Sequence, residues 1–417
     1  MVFQVVPPVV REVGNGHEID VDFLHSLKIY LEHFDKFTLA CPVRRGNIVG
    51  SGLEKCVPLR ELPWGAERFE FIPLPLTYSP TEFLKLLPSV RKKLAAEVEK
   101  ADYLIFTPYS LIGDWPTIAI REAVKRDRRY VIEADGVHAD VTRKRFTSKT
   151  AWKRLIQEQV LFPLFDISYR YCLKHSALGI FQGKDVFDAY APFCSNPHKL
   201  NHHIPVYAGD HITEEQLDSK LSKIGEGDVL KICYAGRAID MKGPLDWVDT
   251  LHELAARGVR FEATWLGDGP LLDEMTRRVA EWKIPGVILR GFVGEREDML
   301  REIRQAHIFM FCHNTLESAR ILGEALACGA PLVGFGSAYP VDLVAEHGGG
   351  LFCQTHDIKG LADIIQNLDS DRSRLARLVA DAARSGQEFD RDLALNRRAL
   401  MVKAHPAAAL SMISANP

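Results

Sequence analysis

The sequence of 417 residues lacks the features that mark several classes of protein. It contains no CxxC pair: its eight cysteines are scattered, and several lie inside apolar runs such as KICYAG and HIFMFC. We therefore expect buried free thiols in a reducing compartment rather than disulfides. No uninterrupted apolar run approaches the roughly 20 residues that a membrane-spanning helix needs. No short-period repeat or low-complexity tract occurs either, so the chain has the composition of an ordinary globular protein.

An excess of charge of one sign is also absent, because the formal net charge is -3. Nucleic-acid-binding proteins of the basic kind carry a strong positive excess, so we expect no nucleic-acid partner. With 47% apolar residues, the chain is long enough for two domains with separate cores. We expect a cytoplasmic protein, either free or peripheral at the inner face of the cell membrane.

Short apolar runs alternate with helical patterns along the whole chain, which is typical of doubly wound parallel sheets. The order FQVVPPVV, DFLHSLKIYLEHF, FTLACPV predicts strand, helix, strand, and KICYAGR restarts the same alternation after a charged stretch. We predict an α/β protein with two Rossmann-like domains facing each other across a cleft. Their ranges are 1–208 and 229–386, joined by a linker at 209–228.

Two carboxylates occur in TLESARILGEALACGAP, a segment that otherwise reads as a buried helix and strand. If a helix starts near Ser318, Glu317 and Glu324 share one face, rotated by roughly 20° and separated by roughly 10 Å. Carboxylates at that separation suit hydroxyl groups at the two ends of a nucleotide sugar. The alternative is that Glu317 pairs with the helix dipole and Glu324 faces solvent.

Two cations follow the predicted strand KICYAG. Arg237 comes directly after Gly236 at the strand end, and Lys242 lies in the loop before the next helix. A guanidinium and an ammonium together neutralise a diphosphate leaving group. Solvated loop cations are the alternative, but the carboxyl end of a parallel strand is where ligands bind in open sheets.

In the N-terminal half, Gly14 and Gly16 are predicted to lie where the first strand meets its helix, close to a phosphate or a sugar. The segment GNG is not GxGxxG, and a plain tight turn explains it equally well. His138 ends the strand run YVIEADGVH, which places a titratable imidazole at the sheet edge or in a purely structural contact.

Further strand and helix ends of the second domain offer backbone and aromatic contacts. Gly267 in GDGP and the pair Phe292 and Val293 in RGFV close two strands and would contact a base, unless they are ordinary turns. Ser318 and Ala319 lie at the predicted helix start, whose unpaired N–H groups favour phosphate.

A basic segment at 143–154 carries six Lys or Arg residues with Phe146 and Trp152 between them. It predicts either peripheral contact with an anionic membrane or a solvated helix face. Three D-x-D triplets would suggest a metal-diphosphate site, but Asp20 opens a helix as a cap would, and the others lie in charged helical regions.

Taken together, GNG, DGVH, GRAIDMKG, LGDGP, RGFV and ESARILGEALACGAPLVG resemble, in order, the retaining GT-B glycosyltransferases of the family 4, or group 1, type. The resemblance runs most clearly from Lys231 to Leu368. It implies that 1–208 is the acceptor domain, that 229–386 is the donor domain, and that a C-terminal helix in 387–417 packs back on the first domain. It implies a nucleoside-diphosphate-sugar donor, a glycan or lipid-linked acceptor, retention of anomeric configuration and no cofactor or metal, because Arg and Lys take the metal's place.

Roles for single residues follow from the same resemblance. Arg237 and Lys242 would bind the diphosphate, Glu324 the ribose and Glu317 the transferred sugar, with His138 near the reacting sugar. The Gly14 and Gly16 loop would pack on the donor. One departure concerns Glu317: six residues separate the two glutamates here, where the family usually has seven.

The predicted activity is sugar transfer in bacterial polysaccharide biosynthesis. A nonhydrolysing sugar-nucleotide epimerase shares the two-domain plan, and a non-catalytic protein that binds nucleotide sugars is a third class. A dinucleotide oxidoreductase is disfavoured, because neither half has GxGxxG followed by an acidic residue about 20 positions later.

Overall fold

The computed structural model describes residues 1–14, 16–45, 55–110, 112–137, 150–201, 204–315 and 318–407. The chain divides into two compact units, Met1–Leu200 with Asp392–Pro417, and Asn201–Arg391. All eight cysteines lie in the described ranges as free thiols, six of them buried, as predicted.

The first unit is built on a mostly parallel sheet whose central strands are apolar and buried on both faces. Its strands are β1 Val2–Val5, β2 Val10–Val13, β3 Gly16–Asp20, β4 Phe37–Arg45, β5 Cys56–Pro58, β6 Phe69–Leu74, β7 Tyr103–Phe106, β8 Val131–Ala134, β9 Leu178–Phe181 and β10 Pro197–Lys199. The order is β10-β9-β8-β7-β1-β4-β2-β3-β5, with β6 beside β4. Only the pairs of β3, with β2 and with β5, are antiparallel.

Helices of the first unit follow the strands, as in a doubly wound fold. They are α1 Val21–His33, α2 Pro80–Lys100, α3 Trp115–Lys125, α4 Ala151–Ile156, α5 Phe162–Lys174 and α6 Gly183–Tyr190. A π turn over Gln157–Leu161 joins α4 to α5 in one helical run. Asp20 caps α1 by accepting a hydrogen bond from the Phe23 N–H at 2.9 Å, which is the predicted role of this D-x-D triplet.

The segment that contains Gly14 and Gly16 differs from the prediction. It is a β-hairpin, in which Val10 pairs with Ile19 and Val13 with Gly16, and Gly14 lies at its tip with φ +58°. The first strand therefore does not pass directly into α1, because β2 and β3 intervene. The physical reason is local: Gly-Asn-Gly between the short segments VREV and HEID is a strong hairpin signal.

The second unit has a six-stranded sheet in which every pair is parallel. Its strands are β11 Leu230–Ala235, β12 Phe261–Leu266, β13 Val287–Leu289, β14 Ile308–Phe311, β15 Leu332–Phe335 and β16 Gly350–Cys353, in the order β13-β12-β11-β14-β15-β16. Its helices are α7 Glu214–Gly225, α8 Pro244–Ala256, α9 Leu272–Glu281, α10 Arg296–Gln305, α11 Arg320–Ala327, α12 Ala338–Leu343, α13 Ile358–Ser370 and α14 Arg372–Gly386. The predicted α/β class with two doubly wound sheets is thereby confirmed.

Residues 209–228, predicted as a linker, lie inside the second unit. Helix α7 occupies most of them, and a capping box between Thr213 and Gln216 starts it. Lys220 and Ile224 bury one face of the helix, so a charged, apolar-poor stretch here forms a packed helix.

The C-terminal helix α15, Arg391–Lys403, lies mainly in the first unit. Asp392 binds His25 at 2.6 Å, and Asn396 binds His33 at 2.7 Å. Arg398 lies 3.6 Å from the buried carboxylate of Glu133. None of the described helices is long and apolar enough to cross a bilayer.

Candidate functional site

Glycine backbone joins three strand ends of the second unit. The Gly236 N–H donates to the carbonyl oxygen of Leu266 at 2.8 Å, and the Gly267 N–H donates to that of Gly291 at 2.8 Å. Gly267 has φ +148°, and a Cβ there would lie 2.0 Å from the Gly236 oxygen. Only glycine fits at this position, and the carboxyl edge of the sheet is therefore a close-packed surface of backbone.

The two predicted cations both follow β11. Arg237 is exposed and forms no ion pair with any described residue. Lys242 ends a 3₁₀ turn, Asp240–Lys242, held by a hydrogen bond from its N–H to the Ile239 oxygen. The next residue, Gly243, has φ +61°, and a Cβ there would lie 2.0 Å from the carbonyl oxygen of Cys312. Only glycine therefore fits at this position. The turn thus fixes Lys242 at the start of α8.

His313 and Asn314 follow β14 and support this turn. The Asn314 side chain donates to the Asp240 oxygen at 2.8 Å, and the buried His313 ring binds the Tyr234 hydroxyl at 2.8 Å. Burial, with Lys242 nearby as a second cause, holds the pKa of His313 well below its usual value. A neutral His313 leaves Lys242 as the local positive charge. Neither residue is among the predicted site residues, although a polar residue directly after the apolar run HIFMFC is a usable signal.

Glu324 lies on α11 and is buried, with 6% exposure. Its carboxylate is 3.0 Å from the Arg296 guanidinium of α10, which also contacts Asp210 at 2.8 Å. The carboxylate is therefore held in place by charge-assisted contacts before any ligand binds. The alternative of a solvent-facing Glu324 is wrong, and no pattern in the sequence predicts Arg296 as its partner.

Helix α11 begins two residues later than predicted. Ser318 and Ala319 precede it, and Ala319 is its N-terminal cap residue in an extended conformation. The helix thus starts at Arg320, so the predicted rotation and separation of Glu317 and Glu324 do not follow. A lone Ser-Ala pair gave a weak start signal, since no side chain of Ala319 can cap the helix.

Phe292 is 75% exposed beside the β13 end, and Val293 is half-buried against the core. An exposed phenyl ring at a sheet edge suits contact with a flat base. Thr315, next to Asn314, has a hydroxyl that is shielded from solvent and has no hydrogen-bond partner within the part of the chain that the structure describes. A ligand at this edge would give that hydroxyl a partner.

Several predicted residues lie outside the described ranges: His138, Glu317 and the part of the basic segment at 143–149. Among the D-x-D triplets, Asp371 caps α14 by accepting from the Arg374 N–H at 2.8 Å. Asp369 pairs with Arg372, and Asp392 pairs with His25. These contacts, with the cap by Asp20, account for four of the six triplet carboxylates as caps and ion pairs of helices.

Residues 230–371 match the family model described as Glycosyl transferases group 1. This range contains all six strands of the second unit. The matched residues all lie in the second unit. The predicted resemblance is confirmed to that extent, while retention and assignment to family 4 stay predictions.

Solved structures similar to the chain are GT-B glycosyltransferases. HepE from Anabaena in complex with UDP has a TM-score of 0.64 at 14% identity, covering 97% of this chain and 100% of that chain. WaaG, a glycosyltransferase involved in lipopolysaccharide biosynthesis, has a TM-score of 0.61 at 11% identity, covering 96% and 99%.

Sucrose-phosphate synthase from Thermosynechococcus elongatus has a TM-score of 0.60 at 15% identity, covering 100% of this chain and 99% of that chain. At such identities the likeness shows the GT-B fold alone, and the predicted fold is confirmed. No curated protein sequence matches the chain.

Proposed function

We propose that the chain is a retaining glycosyltransferase that moves a sugar from a UDP- or GDP-sugar to a hydroxyl group of a glycan or lipid-linked acceptor. The single observation that carries the donor assignment is the carboxyl edge of the second unit's sheet, where Arg237 and Lys242 follow β11 beside glycine backbone. HepE was crystallised with UDP and with UDP-glucose, which supports the same donor class here.

In the proposed site, Arg237 and Lys242 contact the diphosphate and Glu324 accepts hydrogen bonds from the ribose hydroxyls. Phe292 and Val293 contact the base, while Gly236, Gly267, Ser318 and Ala319 supply backbone close to the phosphates. Gly14 and Gly16 are also proposed to contact the donor. His138 and Glu317 are proposed to contact the transferred sugar.

The proposed reaction needs no cofactor or metal. The bond between the anomeric carbon and the diphosphate oxygen breaks, the acceptor oxygen bonds to that carbon on the same face, and the acceptor proton goes to the departing phosphate. The protein contributes by positioning the reactants and by stabilising negative charge on the diphosphate. Two cations, the exposed Arg237 and Lys242 at the end of its turn, act in the role that a divalent ion has in other phosphate sites.

A binding and turnover experiment tests the proposal. A ligand that binds the native state alone raises the melting temperature, so we would screen nucleoside diphosphates and their sugars by thermal shift. We expect one nucleotide sugar to give a selective rise. Release of its nucleoside diphosphate should depend on an acceptor, and the product anomer should keep the donor's configuration by NMR.

Variants make the test specific to the site. Arg237→Ala and Lys242→Ala should lower turnover at least about a hundredfold, as expected when a contact made to developing charge is lost. Their melting temperatures should stay close to that of Arg301→Ala, a matched control on the exposed face of α10. Donor binding without acceptor-dependent release would favour a binding protein, and interconversion of two nucleotide sugars would favour an epimerase.

We also propose a location at the inner face of the cell membrane and a role in bacterial polysaccharide biosynthesis. The run from α4 to α5 exposes a row of apolar side chains, which we call the α4–α5 stripe: Trp152, Leu155, Ile156, Val160, Leu164 and Ile167, each between 45% and 66% exposed. The opposite face of α5 is buried in the core through Phe162, Phe165 and Tyr169. A helix that is apolar on both faces is expected to bury both.

The surroundings of the α4–α5 stripe favour an anionic lipid surface as the partner. Arg154, Arg170 and Lys174 are exposed on the same helical run, and the basic residues of 143–149 precede it in the sequence. Tryptophan with nearby Lys and Arg is the composition of helices that lie in a membrane interface. The lipopolysaccharide role printed for WaaG is consistent with an acceptor held at such a surface.

A further inference from the structure

A cavity of about 540 Å³ opens at the carboxyl ends of β4 and β6 in the first unit. Five segments line it, and its polar residues are Glu12 and His17 of the hairpin, Arg44 and Arg45 of β4, and Tyr78 and Glu82 beyond β6. Ligands bind at this edge in open α/β sheets. The β2–β3 hairpin, which lies where a strand-to-helix loop was predicted, forms one wall of the cavity.

Arg44 distinguishes this cavity from an ordinary surface groove. Within the described ranges its guanidinium has no ion pair and no hydrogen bond, and its Nε atom is shielded from solvent. The neighbouring arginines are paired: Arg45 with Glu12 at 3.1 Å, and Arg11 with Glu18 at 2.6 Å. A partly buried charge without a partner costs free energy, so a cavity that holds one is suited to a ligand of opposite charge.

The other lining groups suit a sugar. Tyr78 is 74% exposed, so its ring offers an apolar face at the cavity. The Glu12 and Glu82 carboxylates accept hydrogen bonds from hydroxyl groups, and the His17 ring can donate or accept. An aromatic face with a few fixed polar groups is the usual make-up of a small-molecule site.

We propose that this cavity binds the acceptor and selects a saccharide that carries an anionic group, a phosphate or a carboxylate, in contact with Arg44. The proposal rests on the glycosyltransferase function and names the substrate class of its acceptor. The negative group contacts the guanidinium in a bidentate fashion, which fixes the orientation of the sugar as well as its charge. The sugar ring then packs on Tyr78.

Calorimetric titration with matched saccharides tests the proposal. The probes are hexoses against their 6-phosphates, and hexoses against the corresponding uronic acids, each titrated into the full chain. We expect a phosphate or a uronate to bind at least about tenfold more tightly than its uncharged analogue, since charge-assisted contacts are the strong ones. The two probe series show which anion the cavity prefers.

Three variants assign the preference to Arg44. Arg44→Gln should reduce the ratio of affinities to below about threefold, and Arg44→Lys should keep part of it because the charge remains. Arg11→Gln, a control on the same hairpin that does not line the cavity, should keep the wild-type ratio. Equal affinity of charged and uncharged probes, binding of neither, or a preference that survives in Arg44→Gln would overturn the proposal.

The donor site provides an independent check in the same samples. The thermal shift with nucleoside diphosphates reports on the second unit, and Arg44→Gln should leave it unchanged. A normal nucleotide shift without anion preference would refute the acceptor inference alone. If no nucleoside diphosphate raises the melting temperature of the wild-type chain, the glycosyltransferase function itself is refuted.

Discussion

At the scale of single residues, the candidate donor site depends on contacts between elements that are distant in sequence. Arg237, Gly236 and Gly267 could be predicted, because each stands next to a short apolar run that ends a strand. Arg296 and His313 could not be assigned roles, because their partners Glu324 and Tyr234 are 28 and 79 positions away, and periodicity carries no information on such pairs.

The contact of Arg296 with Glu324 leads to a prediction for donor affinity. Arg296→Ala removes a charge-assisted contact that holds the buried carboxylate, so Glu324 can leave the orientation that the ribose needs. We expect KM for the donor to rise about tenfold with kcat within about threefold, since the contact serves binding and not the developing charge. Steady-state kinetics measure both.

Arg296→Lys should recover part of the donor affinity, and Arg301→Ala, on the same helix, should have no effect. An unchanged KM in Arg296→Ala would show that the orientation of Glu324 does not depend on Arg296. A lower melting temperature with an unchanged KM for the donor would show that Arg296 contributes to stability and not to donor binding.

At the scale of elements, the sequence patterns predict most strands and helices of both sheets, because parallel strands buried on both faces read as continuous apolar runs. One failure is the predicted linker at 209–228, most of which is helix α7, and two others are local. The hairpin of β2 and β3 interrupts the expected strand-to-helix step, since Gly14 and Gly16 fit both a phosphate loop and a tight turn. The start of α11 lacks a side-chain cap and so could not be placed within two residues.

The α4–α5 stripe follows ordinary helical spacing. Its exposed apolar positions 156, 160, 164 and 167 are separated by four, four and three residues, so an α-helix places them within about 80° of one another. The π turn over Gln157–Leu161 lies inside this run. The sequence pattern does not show which apolar side of the run packs in the core, because both sides carry apolar residues.

We predict that the α4–α5 stripe inserts into anionic membranes. Leu164→Asp combined with Ile167→Asp should reduce sedimentation with vesicles of phosphatidylglycerol and phosphatidylcholine at least about tenfold, because about 1.5–3 kcal/mol accompanies burial of each apolar side chain. Added salt should weaken binding of the wild-type chain, and vesicles of phosphatidylcholine alone should bind it less.

Leu84→Asp is the matched control, because Leu84 of α2 is 64% exposed and lies outside the stripe. If the stripe variant sediments like the wild-type chain, the row does not contact lipid. Equal binding to neutral and anionic vesicles would remove the role assigned to the basic residues.

At the scale of the whole molecule, the chain leaves the first unit near Leu200 and returns to it at Asp392. The order of elements was enough to predict two sheets, because each doubly wound sheet needs its own alternation of strand and helix. The returning helix was predicted from the resemblance to GT-B glycosyltransferases. The anchor of that helix was not predictable. Glu133 is a lone carboxylate in the strand run YVIEADG, and nothing in the sequence connects it to Arg398.

The buried carboxylate of Glu133 holds the two ends of the first unit together. It accepts hydrogen bonds from the Gln4 side chain at 3.3 Å and from the Tyr30 hydroxyl at 3.4 Å, and Arg398 of α15 supplies the opposite charge. Arg398→Ala would leave this carboxylate without a cation. Breaking a buried pair in this way costs about 3–5 kcal/mol, so we predict a loss of that order in the free energy of unfolding of the first unit.

Chemical denaturation followed by hydrogen exchange of β8 and α1 measures the loss for the first unit separately. Arg397→Ala, at the exposed neighbouring position of α15, should stay within about 0.5 kcal/mol of the wild-type chain. The thermal shift that nucleoside diphosphates produce in the second unit should persist in Arg398→Ala. The reason is that Glu133 and its partners Gln4, Tyr30 and Arg398 all belong to the first unit. A stability equal to that of Arg397→Ala would mean that Glu133 is satisfied by Gln4 and Tyr30 alone, and that α15 is held by its surface contacts with His25 and His33.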